Sequence, residues 1–221
     1  MRLVIWNCRY GLKSAQATKL ASLHPDVAVI PEAEESLDWP AGVVPEPSAY
    51  HWLGSNPAKG LGVASFGNWS IERSHREPRS PWSLMLEVHG PGGTFRLIAV
   101  WTVHLAGTPR YAAQVRQIID LHRDELADGT TVLAGDLNCS GNTADPRPHL
   151  ANVGELRTLG LESAFHAVYG LEPGSEPMGT LYWRWQESAP FHCDLGFVPA
   201  AWVPSIRNVE VGTFDEWVAS G

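Results

Sequence analysis

A chain of 221 residues and 24.2 kDa with 44% hydrophobic residues can bury one sizeable core, so a single domain over residues 1–221 is expected. Its 16 Lys and Arg against 24 Asp and Glu give a net charge of -8, which argues against a broad electrostatic grip on nucleic acid but leaves room for a phosphate held through a divalent cation. No run reaches the roughly 18 apolar residues of a membrane span, Met1–Trp6 lacks the core of a signal peptide, and Cys8, Cys139 and Cys193 form no CxxC pair, so a soluble chain in a reducing cytoplasm is expected.

In chain order, Leu3–Trp6 predicts a strand and Leu12–Leu23 a helix, with Leu12, Ala15, Leu20 and Leu23 inward and Pro25 ending it. Asp26–Ile30 predicts a buried strand that runs into Pro31-Glu32, and Pro40–Pro47 reads as loop. Strands follow near Leu61–Phe66, Trp82–His89 and Phe95–Val103, the last two joined by the turn signal Gly90-Pro91-Gly92-Gly93. Tyr111, Val115, Ile118, Ile119, His122 and Leu126 recur at helical spacing and predict the longest helix. Thr131–Ala134 is another buried strand. A helix near Leu150–Leu159 closes at Gly160, and short strands are predicted at Thr180–Trp185, Asp194–Val198 and Val209–Val211. Many strands with few helices imply an α/β fold of packed sheets with helices outside.

The strand from Thr131 ends in Gly135-Asp136-Leu137-Asn138, where period-two alternation puts the Asp136 carboxylate and the Asn138 amide on one side. Asp and Asn are also ordinary turn formers, so this tetrapeptide alone decides little. Other strand ends carry polar groups too. Ile5-Trp6-Asn7, Ile30-Pro31-Glu32, Gly135-Asp136-Leu137-Asn138 and His192-Cys193-Asp194-Leu195 occur in that order, with Thr102-Val103-His104-Leu105 between the second and third. The series resembles the endonuclease/exonuclease/phosphatase superfamily, the deoxyribonuclease I-like proteins, over nearly the whole chain.

That resemblance implies a four-layer sandwich, two mixed β-sheets flanked by helices. It also implies hydrolysis of phosphate esters, chiefly phosphodiesters, with nucleic acid among the substrates and Mg²⁺ or Mn²⁺ as cofactor. Glu32 with Asn7 is the implied metal pair, which suits a hard ion that takes oxygen ligands. Asp136 is implied to activate the attacking water, Asn138 to steady the nucleophile or a phosphate oxygen, and His104 to contact the phosphate. Asp194 is implied to orient a histidine in a terminal Ser-Asp-His. Relatives with similar endings reach that signature through Val-Glu-Val-Gly and a Trp. This chain has Val209-Glu210-Val211-Gly212 and Trp217, then Ser220-Gly221, so the last strand and its histidine are expected to be missing. The rival readings are a phosphomonoesterase or phospholipid-headgroup hydrolase of the same fold, and a degenerate binding module.

Several residues carry a plainer expectation. Cys8 and Cys193 should face away from Asn7 and Asp194 as buried packing residues. His192 is expected to be structural and Trp183 with Trp185 to pack in the core, although stacking on a base is open to them. Arg76, Arg79, Arg110 and Arg147 are expected to be scattered surface charge rather than phosphate guides.

Overall fold

The computed structural model describes residues 1–9, 11–75 and 80–219. They divide into two units, Met1–Trp101 with Thr130–Asp136, and Thr102–Gly129 with Leu137–Gly221. The first contains strand β1 (Leu3–Ile5), helix α1 (Ser14–Ser22) and strands β2 (Val27–Ala33), β3 (Pro47–Asn56), β4 (Lys59–Phe66), β5 (Ser70–Arg73), β6 (Ser83–Gly90), β7 (Gly93–Trp101) and β8 (Thr131–Asp136). Its first sheet runs β1-β2-β4-β3, with β1 parallel to β2 and the others antiparallel. In its second, β5, β6, β7 and β8 adjoin in that order, β7 and β8 being parallel. Both sheets are mixed.

The uninterrupted apolar runs Val27–Ile30 and Val132–Ala134 become fully buried strands, and β2 is covered on both faces, by α1 and by the second sheet. β2 and β4 lie against β7 and β8. On the outer face of the first sheet α1 buries Ala17, Leu20 and Ala21 against Ala28, Ile30, Ala64 and Phe66. The helix begins at Ser14, so Leu12 packs from the preceding turn and Ala15 faces solvent, contrary to the expected inner face. β3 was not expected at all. It is an edge strand of half-buried residues whose Tyr50 hydroxyl donates to Glu34 O at 2.6 Å and whose Trp52 Nε1 donates to Ala33 O at 3.0 Å, a pattern that shows no clean apolar alternation.

The second unit holds helices α2 (Tyr111–Leu121), α3 (Arg123–Leu126), α4 (Arg147–Thr158) and α5 (Ala164–Tyr169), with strands β9 (Leu161–Ser163), β10 (Leu181–Tyr182), β11 (Pro190–Phe191) and β12 (Asp194–Pro199). β9 and β12 pair antiparallel, with α4 and α5 against them, and β10 with β11 forms a short ribbon. The long helix expected from Tyr111 is broken at His122, whose backbone (φ -109°, ψ 24°) leaves the helical region while its ring stays buried. Between β10 and β11, Trp183–Trp185 make a 3₁₀ turn, and Trp183 and Trp185 are 57% and 54% exposed. They do not pack in the core as expected, because a ribbon with two residues per strand offers no sheet face to cover them. Val209–Val211 forms no strand; the Val209 carbonyl accepts from the Tyr169 hydroxyl at 2.9 Å instead. Among the described residues no helix is long and apolar enough to cross a membrane.

Cys8, Cys139 and Cys193 are buried thiols outside any disulfide, and burial pushes the Cys8 thiol up to about 12. His192 is structural as expected, stacked on Phe165 at 4.4 Å with Nδ1 3.2 Å from Met178 O. It belongs to a buried group in which His166 bridges Ser163 Oγ (2.7 Å) and Glu176 Oε1 (2.9 Å), and His149 Nδ1 lies 3.3 Å from Cys139 Sγ. Desolvation pulls His149 down to about 4 and lowers His192 as well. For Glu176 burial acts upward, but the hydrogen bonds from His166 and from backbone N–H groups outweigh it and hold the acid at about 2.

The sign of the resulting pH dependence follows. Between pH 6.5 and 4 an unfolded His149 is protonated while the folded one is neutral, so the unfolded state binds more protons and stability falls as pH drops through that window. The full effect is on the order of 3 kcal/mol. Below pH 4.5 the depressed Glu176 adds a second loss, as its carboxylate advantage disappears toward pH 2. Urea unfolding at pH 7 and pH 4.5 is expected to show this decline, and His149→Gln should flatten it above pH 4.5. An equally steep decline in the variant would place the responsible protons elsewhere.

Candidate active site

Three strand ends in the first unit carry the expected polar residues, and one amide joins them. Asn7 follows β1, and its Nδ2 donates to Asp136 Oδ2 at 2.9 Å and to Glu32 Oε1 at 3.3 Å. The amide is oriented by its other end, where Oδ1 accepts from Arg9 N at 3.0 Å in a local turn. The two carboxylates are therefore two hydrogen bonds apart. Asp136 is only 4% exposed, and it follows Gly135, whose φ of +151° lets β8 pass close to β7.

Glu32 reaches this position through a backbone irregularity. The register of β2 on β4 slips between Pro31 and Ala33, leaving Glu32 as the extra residue of a bulge with φ +63°. A bulge re-aims the side chain it carries, and a left-handed non-glycine residue costs about 1–2 kcal/mol. Gly11 N donates to Glu32 O at 3.0 Å and helps hold the distortion. The second Glu32 oxygen, Oε2, lies 3.1 Å from Lys59 Nζ. That ammonium also stands 5.5 Å from the centre of the Trp101 ring, and Trp101 is the β7 partner of Asp136.

The remaining expected residues lie in the second unit, where strand ends and loops are laced together. Thr102 Oγ1 donates to Leu137 O at 2.7 Å, Asn138 Nδ2 donates to Thr102 O at 2.9 Å, and Leu137 N donates to Cys193 O at 3.0 Å. Cys193 N and Asp194 N both donate to Thr180 Oγ1, at 3.0 and 2.9 Å. Asn138 adopts φ +46°, so it leaves the strand in a left-handed turn rather than continuing its alternation. His104 is exposed on the loop after Thr102, its ring 6.1 Å from that of Tyr111. The loop is clamped from behind by buried Gln114, whose Oε1 accepts from Val103 N at 3.0 Å and whose Nε2 donates to Val103 O at 2.6 Å and Pro109 O at 2.8 Å.

Lys59, Thr180 and Gln114 were not singled out from the sequence. Only Gln114 left a signal there, a polar side chain at a position that the Tyr111–Ile118 spacing turns inward. Arg147 pairs with Asp145 at 2.8 Å and Arg110 is exposed, while Arg76 and Arg79 lie outside the described residues.

The Glu32 and Asp136 carboxylates, with no soft ligand beside them, are donors of the kind that Mg²⁺ or Mn²⁺ takes, since such ions use one or two carboxylates and complete their shell with water and substrate oxygens; Asn7 turns its N–H₂ toward them and would join as a ligand only by turning Oδ1 inward from Arg9 N. Among the described residues no group of three or more His, Cys, Asp or Glu is placed to hold an ion.

No family model matches the sequence, and no curated protein matches it. Solved structures do. The endonuclease domain of TRAS1, a telomere-specific non-LTR retrotransposon, superposes with a TM-score of 0.65 at 14% identity, covering 96% of this chain and 94% of that one. A 3'-5' exonuclease (NExo) from Neisseria meningitidis gives 0.61 at 18%, covering 94% and 90%. An AP endonuclease from Archaeoglobus fulgidus gives 0.64 at 13%, covering 92% and 89%. Together with its two mixed sheets, these likenesses show that the chain has a deoxyribonuclease I-like fold.

Proposed function

We propose that this protein is a divalent-cation-dependent hydrolase of phosphate esters that acts on phosphodiesters, nucleic acid among them. The observation that carries the reading is the Asn7 amide holding Glu32 and Asp136 together at three strand ends. The fold supports it, as do the names of similar structures, which include an exonuclease and an AP endonuclease.

Glu32 would hold the cation, with Asn7 once its amide turns Oδ1 inward from Arg9 N, and the bound ion would polarise a phosphoryl oxygen and offset charge on the leaving group. Asp136, fixed by its hydrogen bond from Asn7, orients a water and takes its proton as the water oxygen bonds to phosphorus and the ester oxygen leaves. The family resemblance implies that Asn138 and His104 serve the nucleophile and the phosphate oxygens, and that Asp194 orients an acid–base partner. Net charge -8 favours one second reading, a small phosphate ester as substrate in place of a long polyanion.

The test uses the purified chain with bis(p-nitrophenyl) phosphate, p-nitrophenyl phosphate and labelled DNA oligonucleotides, with Mg²⁺, Mn²⁺ or EDTA. Cation-dependent cleavage of the diester or the oligonucleotides is expected. Preference for the monoester would support the second reading. Mg²⁺ or Mn²⁺ should also raise Tm, as any ligand selective for the folded state must. Glu32→Gln should remove most of that rise while leaving Tm in EDTA nearly unchanged. Absence of both cleavage and Tm rise in the unmutated protein would overturn the reading, and an undiminished rise in Glu32→Gln would move the cation to other ligands.

A further inference from the structure

Lys59 opens β4 opposite the bulge that presents Glu32, and two contacts fix where its charge sits. One is the 3.1 Å approach of Nζ to Glu32 Oε2. The other is the Trp101 ring 5.5 Å away, an aromatic face that attracts a cation. With Asn7 on Oε1 and Lys59 on Oε2, both oxygens of Glu32 are engaged, and Lys59 supplies its positive charge at Oε2.

A divalent cation that takes Glu32 must contend with that ammonium. The pair is open to water, the side chains being 36% and 17% exposed, so the competition is modest and reversible. An ammonium turned off Oε2 stays tethered beside the carboxylates by a flexible four-carbon stem and the Trp101 face. It is then a compact cation with three donors, the chemistry that binds a phosphate oxygen.

We infer that Lys59 is the phosphate-binding cation of this site, held on Glu32 until a divalent cation claims that carboxylate. The inference rests on the proposed phosphoesterase reading and makes cation and phosphate binding cooperative. A cation on Glu32 releases Lys59 to phosphate, and phosphate on Lys59 frees Glu32 for the cation. Such coupling is reciprocal.

Calorimetric titration of the full chain tests this with Mn²⁺ alone, inorganic phosphate alone and each in the presence of the other. In the unmutated protein, saturating Mn²⁺ should tighten phosphate binding by about fivefold or more. Lys59→Met should bind Mn²⁺ several-fold more tightly, because its competitor is gone, and should lose most of the coupling to phosphate. Lys59→Arg should retain part of the coupling. Equal Tm values in EDTA would certify the fold of the variants, as Lys59 is partly exposed. Unchanged Mn²⁺ affinity in Lys59→Met, or tighter Mn²⁺ binding with the coupling intact, would overturn the role of Lys59 while leaving the phosphoesterase reading standing. Failure of the unmutated chain to bind Mn²⁺ at all would count against both.

Discussion

Asp136→Asn is expected to lower kcat for a phosphodiester by about 10²- to 10⁴-fold, the usual worth of a positioned acid–base group. The substitution keeps size and shape, and the new side-chain oxygen can still accept from Asn7 Nδ2, so the packing of β8 is preserved. What it removes is the ability to take a proton from water. KM should change little, since binding residues remain, and Tm in EDTA should stay close to the unmutated value or rise slightly. A rise is reasonable because Asp136 and Glu32 are like charges two hydrogen bonds apart, and one of them would be neutral. The loss in kcat with an intact fold separates a chemical role from a structural one. Activity within tenfold of the unmutated protein would take the proton-accepting role away from Asp136.

Fully buried strands are readable because burial leaves one signature, an apolar run that stops at a polar residue. Val27–Ile30 and Thr131–Ala134 both show it, and Glu32 and Asp136 follow them closely, but a site role for these two and for Asn7 comes from the family resemblance of the whole series and not from the runs themselves. Edge elements carry no such signature. β3 and β5 have partners on one side only and half-solvated side chains, so their composition resembles loop. The aim of Glu32 was also hidden, because the bulge arises from the pairing register with β4, and register is a property of two strands together. Lys59 enters the cluster by that same register, from a turn that by itself reads as ordinary surface. The break at His122 shows the opposite failure. Apolar spacing continued through it to Leu126 while the backbone did not, since the same buried face can be presented by two short helices.

Gly135 is the position where the fold and the candidate chemistry depend on the same atom being absent. A Cβ there would lie 1.9 Å from the Val100 carbonyl oxygen and 2.8 Å from its carbon and nitrogen, all backbone of the paired strand β7. Nothing on either side can swing away. The φ of +151° adds strain for any L side chain. Gly135→Ala is therefore expected to destabilise by about 2–6 kcal/mol, combining overpacking of about 1–3 kcal/mol with backbone strain of about 1–3 kcal/mol. In a chain of this size each kcal/mol corresponds to a fall in Tm of roughly 2–4 °C, so a fall of at least about 4 °C is expected. Gly67→Ala provides the comparison: its φ is +60° but nothing lies within 4 Å of the added Cβ, so only the smaller conformational cost of about 1 kcal/mol remains. Because Gly135 precedes Asp136, relief of the clash must also shift the carboxylate away from Asn7. Whatever fraction of Gly135→Ala stays folded should then show a reduced Mn²⁺-induced rise in Tm, measured by the same thermal scans. A urea midpoint equal to that of the unmutated protein would mean that β7 and β8 can separate without cost, and the close strand approach would lose its role in placing Asp136.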